Sequence, residues 1–261
     1  MIELKGKTAL VTGAGSGIGR AIAMELAAQG CNLVLSGRKM PSLEETAAAC
    51  PGVKTLIIPA DMEDYASLAS LHSSVLQENV SIDIFVLNAG ISQREKALET
   101  DFSVDEKILR TDFLGAVYLI KQFGPEIKAS QHVQIAVTSS ISGLFGFPLR
   151  SAYSAAKSAL VGFFESLDLE YANVDVTLLF PGRINTRISR SALRGDGSAH
   201  GAMDAGQAGG MDALKCGRIA VKAIRRQKHR KLIGGKELLM VHIHKWCLPL
   251  YFKLSGKISA T

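Results

Sequence analysis

A tyrosine and a lysine four residues apart, Tyr153 and Lys157, have the clearest capacity for acid–base chemistry in this sequence. Four residues make about one helical turn, so both side chains point from the same face of a helix predicted over 151–172. A phenol with an ordinary pKa near ~10 is a poor acid–base catalyst at neutral pH, and an adjacent ammonium stabilises its phenolate. Ser140 ends a predicted strand thirteen residues before the tyrosine. Its hydroxyl could hydrogen-bond an oxyanion that develops beside the phenol.

A glycine-rich turn near the start of the chain indicates a second chemical role. Thr12-Gly-Ala-Gly-Ser-Gly-Ile-Gly19 follows the apolar run Thr8–Val11 and precedes a helical pattern. Gly13, Gly17 and Gly19 permit a tight turn and a close approach of the backbone to a pyrophosphate, and the helix N-terminus supplies free amides and a favourable dipole. A glycine-rich string alone is weak evidence. Its position between a strand and a helix predicts a dinucleotide site.

Short apolar runs alternate with longer helical patterns along the chain and must position these residues. The predicted strands span 8–12, 32–36, 53–59, 82–87, 133–139 and 174–180. The predicted helices span 18–29, 41–50, 64–79, 102–129, 151–172 and 211–228. This alternation predicts βαβ units, and the continuous apolar character of the strands predicts burial on both faces. The expected fold class is therefore α/β, with one doubly wound parallel sheet in a single domain over 1–261 and helices on both faces.

Composition excludes several other classes of protein. The 261 residues are 47% hydrophobic and 21% charged, which suits a large buried core and argues against disorder. The four cysteines have no CxxC or metal-ligand spacing, so we expect buried thiols in a reducing compartment and no metal site. The first residues leave no room for a signal peptide, and no stretch of about 18 residues is free of charge. These features predict a cytoplasmic protein without a spanning helix.

Taken together and in order, these motifs resemble those of the classical short-chain dehydrogenases/reductases. The glycine turn resembles the cofactor turn of that family, Asn88-Ala89-Gly90 its Asn-Ala-Gly after the fourth strand, and Pro181-Gly182 its Pro-Gly after the sixth. The serine, tyrosine and lysine described above resemble its catalytic residues. The resemblance covers nearly the whole chain and is weakest after residue 195. It implies a Rossmann-type fold, a nicotinamide cofactor, hydride transfer with a ketone or secondary alcohol, and self-association as a dimer or tetramer.

The resemblance also implies a role for each catalytic residue. Tyr153 would protonate the carbonyl oxygen during reduction, Lys157 would also hold the nicotinamide ribose, and Ser140 would hydrogen-bond the developing oxyanion. Asp112 stands where the family has a fourth catalytic member, an asparagine. An ionised Asp112 would partly offset the effect of the ammonium on the phenol. The alternative to an active enzyme is therefore a weakly active or inactive NADP-binding sensor or scaffold of the same fold.

The preference for one nicotinamide cofactor depends on the end of the second strand. Leu35-Ser36-Gly37-Arg38-Lys39 has no acid that could bond the 2′-hydroxyl of the adenosine ribose. Arg38 can hold a 2′-phosphate bidentately, with Ser36 and Lys39 as helpers, which predicts NADP(H). Alternatively, Arg38 only stacks on adenine, and the preference stays open.

Further cofactor contacts come from the resemblance alone. It places Asp61 and Met62 at the adenine, Thr186 at the nicotinamide amide and Ile184 beside the nicotinamide ring. The complete predicted cofactor-binding set is Gly13, Gly15, Ser16, Gly17, Ile18, Gly19, Ser36, Arg38, Lys39, Asp61, Met62, Asn88, Ala89, Gly90, Tyr153, Lys157, Pro181, Gly182, Ile184 and Thr186.

The region after Pro181 is expected to form the substrate side. Residues 195–213 are rich in glycine and alanine and have no periodicity, which predicts a flexible substrate lid. Four arginines precede it at spacings of three and four: Arg183, Arg187, Arg190 and Arg194. They either meet an anionic substrate or form one solvated helix face.

The C-terminal region combines positive charge with apolar residues. Residues 215–261 hold twelve Lys/Arg and a single acid, Glu237. The apolar segment 237–254 resembles the tails of the hydroxysteroid and lipid-handling branch, which implies an apolar, lipid- or steroid-like substrate. Basic residues beside Trp246 and Phe252 fit peripheral contact with a membrane, and a dimer-interface or cleft-covering helix is an equal alternative. A nucleic-acid partner is not favoured.

Overall fold

The structure, a computed structural model, describes residues 1–256 and contains one seven-stranded parallel sheet. The strands are β1 (Thr8–Thr12), β2 (Asn32–Ser36), β3 (Thr55–Ile57), β4 (Ile84–Leu87), β5 (Val133–Thr138), β6 (Val174–Pro181) and β7 (Arg230–Ile233). They lie in the order β3-β2-β1-β4-β5-β6-β7, and every neighbouring pair is parallel. The strand order reverses between β1 and β4, where a doubly wound sheet opens a crevice for ligands.

Helices cover both faces of the sheet. They are α1 (Gly17–Ala28), α2 (Met40–Ala48), α3 (Tyr65–Gln77), α4 (Phe102–Leu109), α5 (Gly115–Gln122), α6 (Gly124–Ala129), α7 (Ser151–Glu170), α8 (Ala205–Ala208), α9 (Ala213–Arg225), α10 (Leu239–Trp246) and α11 (Leu248–Ser255). One core cluster contains side chains of α1, α2 and α9, and the other contains side chains of α3, α5 and α7. Along β1, Leu10 enters one cluster while Ala9 and Val11 enter the other. The predicted α/β class is confirmed.

The prediction of one continuous helix over 102–129 is wrong. A π-helical turn at Arg110–Leu114 separates α4 from α5, and a further break at Phe123 separates α5 from α6. Such turns insert one extra residue into a helix and often occur at functional sites. Pro125 lies in the first turn of α6, which suits proline because its missing N–H has no helical partner there.

The sequence analysis missed the seventh strand, β7. Arg230 and Lys231 are exposed, and the strand pairs only with β6 at the edge of the sheet. Charged residues are common on edge strands because they discourage pairing with other chains, so this strand lacks the apolar run that marked the other six.

The predicted lid segment 195–213 contains the short helix α8 and two buried side chains with long-range partners, Asp204 and Gln207. Asp204 is 6% exposed, and its carboxylate accepts a hydrogen bond from Nε of Arg94 at 2.9 Å. The mobility of this segment stays a prediction. Within residues 1–256, no helix has the length and apolar character needed to cross a membrane.

Candidate active site

The glycine turn packs directly on the loop that follows β4. Gly13 and Gly17 have φ values of 65° and 55°, a left-handed conformation that glycine adopts without strain. A Cβ on Gly13 would lie 2.9 Å from Cα of Ala89, and one on Gly19 would overlap the carbonyl oxygen of Gly13. Ser16 makes no side-chain capping bond, so the first amides of α1 remain available to an anion. The turn therefore has the form of a phosphate cradle.

Thr12 holds this turn in place and was missing from the predicted binding set. Its hydroxyl accepts hydrogen bonds from the amides of Asn88 at 2.9 Å and Ala89 at 3.1 Å, and it donates to the carbonyl of Val86 at 3.3 Å. The side-chain amide of Asn88 donates in return to the carbonyl of Thr12 at 3.3 Å. A threonine at the strand end, directly before the glycines, was the sequence signal for this role.

The residues predicted to contact the adenosine end lie at the carboxyl ends of β2 and β3. Arg38 and Lys39 are exposed. Ser36 is 2% exposed, and its role as a helper stays a prediction. Asp61 accepts from the amide of Glu63 at 3.1 Å. Arg38 and Lys39 thus present two exposed cations at this edge of the sheet.

The predicted Tyr–Lys pair lies in the first two turns of α7. Nζ of Lys157 is 5.7 Å from the centre of the Tyr153 ring, and both residues are buried. The same nitrogen donates to the carbonyl of Thr138 at 3.2 Å, at the end of β5. Ser139 ties this strand to α7 as well, because its hydroxyl donates to the carbonyl of Lys157 at 2.9 Å. These bonds fix the ammonium beneath the phenol.

Asp112, in the π-helical turn, lies against this lysine. Its Oδ2 is 3.2 Å from Nζ of Lys157, and its Oδ1 accepts from the amide of Ile91 at 2.7 Å. A Cβ on Gly90 would lie 2.7 Å from Oδ2, so only glycine fits beside this carboxylate. The π-helical turn thus brings Asp112 to the end of β4.

Burial and mutual attraction shift the pKa values of this pair. Burial raises the pKa of Asp112 above its usual range, and Lys157 and the Ile91 amide lower it part of the way back. Burial opposes the charge on Lys157, but Asp112 and Tyr153 outweigh it and raise the pKa of the lysine. Lys157 therefore remains an ammonium at neutral pH.

Ser140 stands at the end of β5, at the edge of a cavity. Its Oγ accepts from the amide of Ser142 at 3.1 Å and donates to the carbonyl of Pro181 at 3.5 Å. The cavity has a volume of about 420 Å³. Its walls contain Ser140, Ile141, Phe145, Phe147, Arg150, Arg183, Asp204, Lys236, Glu237 and Met240. The serine therefore faces a space large enough for a small organic ligand.

The loop after β6 positions two residues of the predicted cofactor-binding set. A Cβ on Gly17 would lie 3.2 Å from Cγ2 of Thr186, so Thr186 lies against the glycine turn. Ile184 has no exposed surface and packs into the core cluster that contains α1 and α9. The contacts of both residues with a nicotinamide stay predictions.

The C-terminal helices pack over one side of the cavity. Tyr251 of α11 is buried, its hydroxyl donates to the carbonyl of Gly146, and its ring lies 5.3 Å from the ring of Phe145. Met240 of α10 lines the cavity itself. Glu237 accepts from the amide of Arg183 at 2.8 Å and so ties the segment to the loop after β6. This arrangement favours the cleft-covering alternative for α10.

Comparison with known proteins identifies the family that this fold and this arrangement of residues define. The sequence profile described as short chain dehydrogenase matches residues 7–196. The chain belongs to the short-chain dehydrogenase/reductase family, a family of oxidoreductases.

Among its relatives, a dehydrogenase/reductase SDR family protein 7-like of Anopheles gambiae is 41% identical over 235 residues, which cover 87% of this chain and 74% of that one. A dehydrogenase/reductase SDR family member 7B of Mus musculus is 34% identical, with 96% of this chain and 80% of the relative covered. A short-chain dehydrogenase/reductase from Burkholderia phymatum, solved in complex with NAD, has the same fold. Its TM-score is 0.84 at 22% identity, with 96% of both chains covered.

Proposed function

We propose that this chain is an NADP(H)-dependent oxidoreductase that transfers a hydride between the cofactor and a ketone or secondary alcohol with an apolar body. The observation that carries the proposal is the buried ammonium of Lys157, held beneath Tyr153 on α7, while Ser140 lines the neighbouring cavity. Phe145, Phe147 and Met240 give that cavity its apolar surface.

The residues present fit a nicotinamide dinucleotide. The glycine turn leaves the first amides of α1 free, and the close packing at Gly13 and Gly19 forms a cradle that any Cβ would fill. Arg38 is exposed at the end of β2, where a 2′-phosphate would be held. A Thermococcus sibiricus alcohol dehydrogenase of the same fold, with a TM-score of 0.75 at 22% identity, was solved with 5-hydroxy-NADP. This likeness in fold is compatible with an NADP(H) ligand.

In the reductive direction, Tyr153 donates its hydroxyl proton to the substrate oxygen. When bound at the glycine turn, the reduced nicotinamide would supply a hydride, a proton and two electrons, to the carbonyl carbon and would itself be oxidised. Lys157 stabilises the phenolate that Tyr153 leaves behind until a solvent proton restores it. Ser140 donates a hydrogen bond to the oxygen as negative charge develops there. Oxidation follows the same steps in reverse.

The test of this proposal removes the hydroxyl group of Tyr153. Purified Tyr153→Phe and the wild type are compared on a panel of apolar ketones with NADPH, and cofactor binding is measured separately by fluorescence. We expect the phenylalanine variant to lose turnover by about 100-fold or more while NADPH binding survives. Tyr118→Phe, a change of the same kind in α5, serves as the matched control. Normal turnover in Tyr153→Phe contradicts the proposed mechanism.

The second candidate function is a cofactor-binding sensor or scaffold with little chemistry. The carboxylate of Asp112 next to Lys157 favours it, because the carboxylate offsets part of the charge that assists Tyr153. NADPH binding without turnover of any ketone or alcohol in the panel would support this alternative.

We further propose self-association through the helices that flank the site. Leu114, next to α5, is 42% exposed, and Leu169, on α7, is 88% exposed. Burying such side chains against a second copy removes apolar surface from water. Light scattering of the wild type and of Leu169→Lys measures this directly, and a dimer or tetramer is expected for the wild type.

For location, we propose the cytoplasmic surface of a membrane. Exposed apolar residues gather on α10 and α11: Leu239, Trp246, Leu248, Leu250 and Phe252. Lys245 and Lys253 lie among them, a combination that suits an anionic lipid surface. The free thiols Cys31, Cys50, Cys216 and Cys247 fit a reducing compartment.

A further inference from the structure

Arg150 occupies an unusual position in the cavity wall. It is the residue directly before α7, three positions from Tyr153, and it lines the same cavity as Ser140. The preceding Leu149 has a φ of 62°, a left-handed conformation that is rare for a leucine. The amide of Glu95 donates to the carbonyl of Leu149 at 3.3 Å and helps to hold this backbone. Strain of this kind is typical of functional sites, where the surroundings impose it.

The charge of Arg150 is only partly balanced by its neighbours. The nearest carboxylate oxygen, Oδ2 of Asp204, lies 3.6 Å from Nη2 of Arg150 but already accepts from Nε of Arg94 at 2.9 Å. His200 lies 3.5 Å from Oδ1, the other oxygen. Within the described residues, Nε of Arg150 is buried and has no hydrogen-bond partner. One carboxylate thus serves two buried guanidinium groups.

The pKa of Arg150 agrees with this incomplete balance of its charge. Burial, together with the nearby charges of Arg94 and Arg183, lowers the pKa of Arg150 to about 10 against the opposite influence of Tyr153 and Asp204. The surroundings therefore do not fully compensate the buried charge of this guanidinium.

Two further residues of the cavity wall add positive charge. Arg183 and Lys236 also line the cavity, and the Arg183 guanidinium packs against Gly206, where a Cβ would lie 2.6 Å from Cζ. Glu237 is the second carboxylate of the cavity, and its Oε1 accepts from the amides of Arg183 and Gly235 at 2.8 and 3.0 Å. The cavity wall therefore has three cations and two carboxylates, and one of these carboxylates, Asp204, is already paired with Arg94.

We propose that the carbonyl substrate carries an acidic group, a carboxylate or a phosphate, that binds Arg150 with help from Arg183. This inference rests on the proposed function, because it places the reacting carbonyl at Tyr153. Arg150 precedes Tyr153 by three positions and interacts with it electrostatically, so we place the acidic group a few bonds from the carbonyl. The remainder of the substrate lies on Phe145 and Met240, which makes it an amphiphile.

The test uses three compounds that share one apolar ketone chain and differ in the head group: 3-oxododecanoate, its methyl ester and 3-oxododecyl phosphate. Binding to the NADPH-loaded protein is measured by calorimetry, and kcat/KM is measured where turnover occurs. We expect the wild type to favour the acids over the ester by about tenfold or more, as for a charge-assisted contact. Whichever acid binds more tightly identifies the head group.

Three variants make the result specific. Arg150→Gln is expected to bind acid and ester within about threefold of each other, and Arg150→Lys to keep an intermediate preference because it keeps the charge. Arg218→Gln removes an exposed arginine on α9 that does not line the cavity, and it should behave like the wild type. Thermal unfolding of each variant confirms that it is folded.

Two results would overturn the inference: equal binding of acid and ester by the wild type, or an undiminished preference in folded Arg150→Gln. The proposed function fails in a different way. Selective binding of acids together with normal turnover by Tyr153→Phe would contradict the mechanism and leave the anion site standing. Reduction of neutral ketones alone would contradict the anion site and leave the mechanism standing.

Discussion

The ammonium of Lys157 lies 3.2 Å from the carboxylate of Asp112, and water reaches neither group. The Ile91 amide donates to the other carboxylate oxygen at 2.7 Å, so two donors favour the ionised form of a residue whose burial disfavours it. The family to which this chain is similar has an asparagine at this position. The carboxylate therefore reduces the net positive charge that Tyr153 experiences from Lys157, 5.7 Å from its ring.

Replacing Asp112 with asparagine should make alcohol oxidation faster at neutral pH. The rate of oxidation rises with pH as the phenolate of Tyr153 forms, and an unopposed ammonium favours that phenolate. In Asp112→Asn we expect this rise to move to lower pH. Rates of alcohol oxidation across the pH range measure the shift.

Asp101→Asn, which removes an exposed acid before α4, is the control for that profile and should leave it unchanged. A move to higher pH, or a large loss of activity in the Asp112 variant, would show that the carboxylate does not oppose Lys157.

The exposed Arg38 should determine the choice between the two nicotinamide cofactors. We expect the wild type to bind NADPH at least about tenfold more tightly than NADH, roughly 1.4 kcal/mol for one charge-assisted phosphate contact. Arg38→Ala should remove most of that difference and leave NADH binding nearly unchanged. Fluorescence titration of both cofactors measures it, with Arg218→Ala as the matched control. Equal affinities in the wild type would contradict the assignment to NADP(H).

The sequence predicted most of the sheet well because the apolar runs of β1, β2, β4, β5 and β6 are largely buried. It could not predict β7, whose Arg230 and Lys231 lie at an exposed edge. The sequence analysis also did not predict the π-helical turn at Arg110–Leu114, because it treated 102–129 as one helix.

The candidate site shows the same division between local and long-range information. Tyr153 and Lys157 share one helix face, so their spacing was sufficient to pair them. Arg150 and Asp204 are brought together only by the tertiary fold, across a segment that the sequence analysis treated as a lid. Ile184 looked available because it follows a strand end, but its side chain turns into the core.

The Arg94–Asp204 ion pair should contribute strongly to the free energy of unfolding. Asp204→Ala leaves two buried guanidinium groups without their carboxylate, which typically costs about 3–5 kcal/mol. The double variant Arg94→Met/Asp204→Leu removes one charge together with its partner and should be less destabilised than the single variant. Urea unfolding of the wild type, Arg94→Met, Asp204→Leu and the double variant gives the coupling energy. Strictly additive losses would show that the pair is not coupled.

The single tryptophan of the chain reports on membrane contact without any label. Trp246 is 77% exposed, with Nζ of Lys245 5.0 Å from the ring centre. Its fluorescence should shift to the blue with phosphatidylserine vesicles and much less with phosphatidylcholine vesicles, because the neighbouring lysines need anionic lipid. Phe252→Glu should weaken the shift.

High salt should weaken this shift as well. A blue shift that depends on protein concentration in the absence of lipid would instead assign this surface to self-association.

The bonds between Thr12 and the Asn88-Ala89 loop also have a consequence for the order of events during synthesis. The glycine turn leaves the ribosome before its anchor, which is made some 76 residues later in the chain. Helix α1 packs on α9, which emerges later still. At about 5–20 residues per second, the nascent turn waits several seconds for its partner. A chain stalled before β4 would thus display an apolar strand and an unanchored glycine loop, the species that a chaperone must protect.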